Sequence, residues 1–445
     1  MSHYKPYPVY KDSGVEWLGW VPEHWQVMAI KHIVSTPITD GPHETPEFLD
    51  DGVPFVSAEA VSAGKVDFEK IRGFISREDH ERYSQKYCPQ RGDIFMIKSG
   101  ATTGVTAIVD TDEEFNIWSP LAVIRCGERS VPYFVLNFMR SRSFQEAVML
   151  SWSYGTQQNI GMGVIGNLAV TVPPQEEQLV IAAHLDRETA RIDALVEKKT
   201  RFIELLREKR QTLITHAVTK GLNPSTKMKD CGVEWLGEVP EHWVVSRLRH
   251  NIDGPLSYGA NEAAESDDSS DPRFIRITDL NEDGTLRDDT FKSLPSNVAQ
   301  PYLLRDGDVL LARSGATVGK SFIYRESMGP ACYAGYLIRA RLLPSRLVAK
   351  YFWFCTQSTY YWDFIAGSNI QSTIQNVSGE KYSNLWLALP PLKEQQKILD
   401  FLEAKCSRFD VIRVKTERSI DLLKERRSAL ITAAVTGQID LREAL

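Results

Sequence analysis

One stretch of this chain is written twice, as GVEWLGWVPEHW at 14–25 and as GVEWLGEVPEHW at 232–243, with eleven of twelve residues identical. Three further pairs keep the same order. RGDIFMIKSGATTG at 91–104 returns as DGDVLLARSGATVG at 306–319. VPPQEEQ at 172–178 returns as LPPLKEQ at 389–395, and LREKRQTLITHAVT at 206–219 as LKERRSALITAAVT at 423–436. The offset stays between 215 and 218 residues, so the whole chain is a tandem duplication. Internal repeats decide architecture before any single residue does, and a period this long is a duplicated domain rather than a solenoid.

Composition narrows the class of protein. With 445 residues, 42% hydrophobic and 25% charged, the chain has the make-up of a soluble globular protein of two or three domains. No apolar run approaches the roughly 18 residues of a membrane helix, and MSHYKPYPVY has no apolar core for a signal peptide. The six cysteines form no CxxC pair and none recurs at a duplicated position, which suggests a reducing cytosol and no thiolate metal site. A net charge of -6 argues mildly against nucleic acid. A DNA-binding role would have to rest on local patches or basic partners.

Each half reads as a mixed α/β globule followed by a long helix. VPFVSAEAV at 53–61, DIFMIKSG at 93–100 and LAVTVPP at 168–174 have the β-branched, turn-bounded character of strands. Residues 132–150 and 345–365 read as helical. From 175 to 219, and again from 393 to 436, neither Pro nor Gly occurs. Leu185, Ile192, Leu206 and Leu213 recur at heptad spacing on one seam of the first helix, with Ile181, Leu195 and Phe202 on the other. Leu402, Phe409, Leu423 and Leu430, with Ile398 and Ile412, repeat the pattern in the second. This period is a coiled-coil signature, and each helix would span about 65 Å. Helices of this length outrun a globule of about 170 residues, so the expected partner of each is its duplicate. An antiparallel pair would relate the halves by a pseudo-twofold axis.

The order of these elements resembles the specificity (S) subunit of type I restriction–modification enzymes: globule, PPxxEQ, long helix ending in LITxAVT, then everything again. The resemblance covers essentially the whole chain. It implies two target recognition domains at 1–175 and 223–391 and spacer helices at 176–222 and 392–445. The implied fold is mixed α/β, with the two helices forming an antiparallel coiled coil. Each domain would read one half of an asymmetric bipartite site in double-stranded DNA. Two methyltransferase (M) subunits and the restriction/motor (R) subunits would dock on the chain and carry S-adenosylmethionine, ATP and Mg. The chain itself would bind no cofactor or metal, would not be an enzyme and would act in the cytoplasm. Two-fold related readers suit half-sites about 34 Å apart. Two other readings are the specificity module of another restriction–methylation system and a protein–protein scaffold of duplicated adaptors.

Several residues could touch DNA. The Gly-rich loops put Lys98, Ser99, Thr102 and Thr103 in the first half and Arg313, Ser314, Thr317 and Lys320 in the second at a strand end. Small residues with exposed backbone N–H groups and a cation suit a phosphate. The polar runs Gln157, Gln158, Asn159 and Gln371, Gln375, Asn376 precede the last strand of each globule, and such side chains can bind adenine. Base readers should lie where the copies differ, since DGPHETPEF has no recognisable copy at SYGANEAAE. The candidates there are Asp40, His43 and Thr45, and Tyr258, Asn261, Arg276 and Thr278.

Other motifs carry less. GATVGKS at 315–321 has one residue too few for a nucleotide P-loop, and Val105 stands where its copy has Lys320. GMGVIG at 161–166 reads as a turn. His24 and His242 lack the companions of a metal site, so the GVEWLGxVPEHW motif reads as a Trp-anchored turn at the base of each globule. No Asn-Pro-Pro-Tyr-type amino-methyltransferase motif, helicase nucleotide site or nuclease carboxylate cluster occurs.

Overall fold

The computed structural model describes residues 4–442 apart from 62–63, 155–157, 264, 282–284 and 370–375. The chain forms two compact units, Met1–Thr200 with Glu417–Leu445, and Arg201–Thr416. The boundaries fall inside the two long helices, Gln175–Lys220 and Leu392–Val435. Each unit therefore holds one globule, the first part of the helix that follows it, and the last part of the other repeat's helix.

Both globules are built on the same four-stranded antiparallel sheet. In the first unit the order is Thr39–Asp40, Leu121–Ile124, Ile94–Ile97, Thr106–Ile108. In the second it is Ser257–Tyr258, Leu337–Ala340, Val309–Ala312, Ser321–Ile323. The two central strands of each sheet are buried along almost their whole length, as their unbroken apolar runs require. A second two-stranded pairing, Ala169–Val172 with Gln26–Ala29 and its copy Trp386–Leu389 with Val244–Arg247, leads into each long helix.

Local structure departs from the sequence reading at four places. The run at 53–61 is a strand only over Val53–Val56, and Ala58–Val61 is a helical turn. The segment at 132–150 is two helices, Pro132–Met139 and Arg142–Leu150, because the Ser141 hydroxyl caps the second by accepting from Phe144 N. Its copy breaks in the same way into Ala349–Cys355 and Thr359–Asn369. GMGVIG is a short helix, Met162–Asn167, with Gly161 as its N-cap, and it corresponds to Gly379–Ser383 in the second half.

The repeated motifs meet one another. Trp25 is fully buried and donates its indole N–H to Glu177 of PPxxEQ at 3.1 Å, while His24 Nε2 lies 2.8 Å from the same carboxylate. Trp243 and His242 do the same to Glu394, at 3.2 and 2.8 Å. The next residue, Gln178 or Gln395, accepts from Val131 N or Val348 N and donates back to a proline carbonyl. The LITxAVT helix end completes the joint, but it comes from the other repeat. Thr432 accepts from Arg142 N at 3.0 Å, and Thr215 accepts from Thr359 N at 2.9 Å.

Within each unit the two helix segments run beside each other in opposite senses. Asp193 pairs with Arg427 at 2.9 Å in the first unit, and Arg210 approaches Asp410 in the second. Leu185, Ile192, Leu206, Leu402 and Leu430 are buried as the heptad reading requires. On the second seam Ile181 and Ile398 are buried as read, but beyond them the seam lies one residue further on: Leu195, Phe202 and Ile412 are exposed, whereas Ile203 and Ala217, and Cys406, Ile420 and Ala434, face inward. Neighbouring apolar residues such as Leu195–Val196 and Phe202–Ile203 satisfy either register by periodicity. Only the surface each helix must cover selects one.

Candidate nucleic-acid interface

The strand ends at Ile97 and Ala312 carry the Gly-rich loops, and each loop closes on itself. Thr103 N donates to Gly100 O, Gly104 N to Ile97 O and Val105 N to Thr102 O. In the copy, Val318 N donates to Gly315 O, Gly319 N to Ala312 O and Lys320 N to Thr317 O. Positive φ at Gly100 (102°) and Gly315 (72°) makes the turn possible. Most of these N–H groups are spent internally, which corrects the expectation of a backbone phosphate cradle.

In the first unit the structure brings three sequence-predicted sets together. Ser99 forms a β-bridge with Asn159, and Gly100 N donates to Gln158 O. Both Gln158 and Asn159 are exposed beside the loop, while Gln157 lies outside the described residues. Asp40, on the sheet's edge strand, meets Lys98 at 3.3 Å, Lys86 at 2.6 Å and His43 at 3.0 Å. Asp40 is only 1% exposed. Burial opposes its ionisation, but the two lysines outweigh that and hold its carboxyl below the usual carboxylate range. A buried, ion-paired carboxylate does not present itself to a base, so Asp40 is corrected from reader to anchor. Lys98 is likewise committed to it. Thr103 is buried, its hydroxyl donating to Gly100 O. Thr102 is half-buried, and His43 and Thr45 are exposed.

In the second unit the same positions carry different chemistry. Ser314 bridges Asn376, and Val377 N donates to Arg313 O. Arg313 stacks 4.9 Å from the centre of the Tyr258 ring, whose hydroxyl accepts from Gly379 N at 2.9 Å. Tyr258 is 42% exposed, so part of its ring can meet a ligand. Gln371 and Gln375 lie outside the described residues.

The registers reveal an equivalence that the sequence concealed. Asp40 pairs with Ala122 as Tyr258 pairs with Ile338, each opposite the second residue of the matching strand. Gly41 and Gly259 follow, and a Cβ at either would sit about 2 Å from a backbone carbonyl, of Ile117 or Tyr333. DGPH and YGAN are therefore copies, aligned by the one residue whose size the backbone fixes. This overturns the reading of the two segments as unrelated, and it sets His43 against Asn261, which is also exposed.

Other candidates lie elsewhere. Arg276 is locked by Asp279 at 2.8 Å and by Thr290 O, which makes it a structural clamp; Thr278 beside it is exposed. Thr317 is half-buried, and Lys320 lines a cavity against the long helices rather than the loop surface. Sequence reasoning missed Lys86, on which no repeat falls, and Tyr336, exposed where Arg313 N donates to its carbonyl. The equivalent bond in the first unit runs from Lys98 N to Pro120 O, so divergence at matched positions was the signal available. Among the described residues no group of three or more His, Cys, Asp or Glu could hold a metal ion, and no helix is long and apolar enough to cross a membrane.

A duplicated mixed α/β globule carried on long helices is also what the comparisons find. Residues 22–205 and 256–418, more than half of the chain, match the family described as Type I restriction modification DNA specificity domain, and the chain belongs to that family. The EcoKI specificity subunit of Escherichia coli K12 is 21% identical over 431 residues, covering 95% of this chain and 90% of that one. The StySPI specificity subunit of Salmonella potsdam is 21% identical over 436 residues, with the same coverage. Among solved structures, a chain from a study of the assembly and conformational transition of the type I R-M system superposes with a TM-score of 0.69. It is 17% identical, over 94% of this chain and 99% of that one. The HsdS subunit of Thermoanaerobacter tengcongensis gives 0.51 at 17% identity, over 94% of this chain and 98% of that one.

Proposed function

We propose that this DNA-specificity subunit reads an asymmetric bipartite site, each globule contacting one part through its strand-end loop and the segments beside it. The observation that carries this reading is the pattern of difference. The two sites share the sheet register, the bridge, the loop bonds and the glycine, yet Tyr258 stands at the position of Asp40, Arg313 at that of Lys98, Asn261 at that of His43 and Tyr336 at that of Pro120. A frame held constant under changing side chains suits two readers of two sequences. The candidate contact groups are the exposed His43, Thr45, Gln158 and Asn159 in one unit and, in the other, the exposed Tyr258, Asn261 and Tyr336 with the half-buried Arg313.

The chain confers specificity and catalyses nothing itself. Two methyltransferase subunits and the ATP-dependent motor–nuclease subunits supply the chemistry, and S-adenosylmethionine, ATP and Mg belong to them. The exposed Leu195, Phe202 and Ile412 give the long helices apolar surface on which such partners can dock. The setting for this work is the cytoplasm.

Replacing residues 1–175 by a different reader tests the assignment, with methylated adenines mapped genome-wide. One half of the methylated sequence should change and the other persist. A change in both halves sinks the one-globule, one-half assignment.

A further inference from the structure

The second unit holds a cavity of about 450 Å³ between its globule and both helix segments. Four cations line it, Arg207 and Arg210 from the central helix, Arg413 from the C-terminal helix and Lys320 from the globule, and among the described residues Asp410 is the one carboxylate in the lining. Its aromatic walls are Trp353 and Trp362. Arg210 gives one N–H to Gln357 at 2.8 Å and holds its Nε 3.8 Å from Asp410, while the buried indole N–H of Trp353 has no hydrogen-bond acceptor. Buried donors without acceptors are costly unless a ligand satisfies them. A ligand matched to this indole N–H and these cations is acceptor-rich and anionic.

Arg207, Arg210 and Asp410 recur as Lys424, Arg427 and Asp193, but Lys320, Arg413, Trp353 and Trp362 are particular to the second unit. Val105 stands at the position of Lys320, Val196 at that of Arg413 and Leu136 at that of Trp353. In the first unit Arg427, the counterpart of Arg210, is held by Asp193 through both carboxylate oxygens. Gln145, at the position of Trp362, bonds inward to Gly104 O and Met139 O. The first unit thus has a close Arg427–Asp193 ion pair, a half-buried Arg140 at the position of Gln357, and neutral side chains at the four positions that carry Lys320, Arg413, Trp353 and Trp362 in the second. The second keeps the ion pair, at 3.8 Å between Arg210 and Asp410, and adds two cations and two indoles.

We propose that the second unit binds a free nucleoside phosphate in this cavity, the phosphates among Arg207, Arg210, Arg413 and Lys320 and the base against Trp353 and Trp362. Planar rings stack on indoles, and guanidinium groups match phosphate oxygens. The volume suits a mononucleotide and excludes a duplex. The Lys320 of GATVGKS takes part through its side chain alone, since that loop lacks P-loop spacing.

Calorimetric titration of the full chain with ADP, and separately with inorganic pyrophosphate, tests this. ADP should bind saturably with Kd on the order of 10–100 μM, and pyrophosphate about tenfold more weakly. Lys320→Val with Arg413→Val and Trp353→Leu, all residues borrowed from the first unit, should weaken ADP about tenfold or more. The unfolding midpoint should stay within a few degrees. Should the triple variant fail to fold, Trp353→Leu alone should still weaken ADP more than pyrophosphate. The Lys98→Gln variant should bind ADP as the parent does. Absence of saturable ADP binding up to about 1 mM overturns the proposal, as does equal affinity for pyrophosphate.

Discussion

At matched strand ends, one globule holds its lysine against a buried aspartate, and the other lays an arginine across a half-exposed tyrosine ring. The backbone around them is the same, down to the glycine that follows and the bridge to Asn159 or Asn376. An ion pair spent inside the protein leaves the first site to be read by its neighbours, His43, Thr45, Gln158 and Asn159. A half-buried guanidinium stacked on a tyrosine ring has no ion pair among the described residues and keeps its charge for a ligand. Two sites of one design can therefore contact DNA through different residues, and their effects should be separable by substitution.

The largest effect should come from the frame, where the globules do not differ. Trp25→Ala and Trp243→Ala should each cost about 3–5 kcal/mol, because each empties a buried indole site and removes one of the hydrogen bonds to a glutamate. Chemical denaturation of the two variants should give losses within about 1 kcal/mol of each other. A much larger gap would show that the two joints are not equivalent.

Asp40→Asn comes next, at about 3 kcal/mol, since Lys98 is only 14% exposed and loses its counter-charge. Lowering of the folded-state pKa fixes the pH dependence of this loss. The ionised carboxylate stabilises the fold at every pH above its unfolded value of about 3.9, and that contribution disappears as pH falls through the lower folded value. The gap between parent and variant should be constant above about pH 5 and shrink below about pH 3. A gap that widens on acidification would refute the ion-pair account.

At the matched position Tyr258→Phe removes one hydrogen bond to Gly379 N and should cost about 1 kcal/mol, with no dependence on acid pH. A loss equal to that of Asp40→Asn would erase the distinction between anchor and reader.

The smallest change separates the cations. Arg313→Gln should lower the salt slope of DNA binding by about 1, and Lys98→Gln by clearly less, because Asp40 already neutralises Lys98. Filter-binding or anisotropy titrations at several salt concentrations measure both. Equal slopes for the two variants would mean that Lys98 reaches a phosphate after all.

Legibility in the sequence followed how local each constraint was. The duplication, the long Pro- and Gly-free helices and the strand cores at Ile94–Ile97 and Val309–Ala312 announce themselves, because periodicity and composition act over neighbouring residues. The loops and polar runs were legible as candidate contacts. Their pairing through Ser99–Asn159 and Ser314–Asn376 was not, because some sixty residues separate the partners. Asp40 looked like a reader because it lies in a divergent, polar stretch. Its burial depends on Lys86 and Lys98, which come from other elements.

The sequence by itself determined that there are two globules of one fold, that a long helix follows each, and that function belongs where the copies differ. Tertiary structure decided which helix end completes which globule. The LITxAVT segment of one repeat caps the globule of the other, through Thr432 on Arg142 and Thr215 on Thr359. It also decided the inward seam and the fate of each charge. A repeat records that two segments are alike but not which surfaces they bury, and burial sets both packing register and electrostatics.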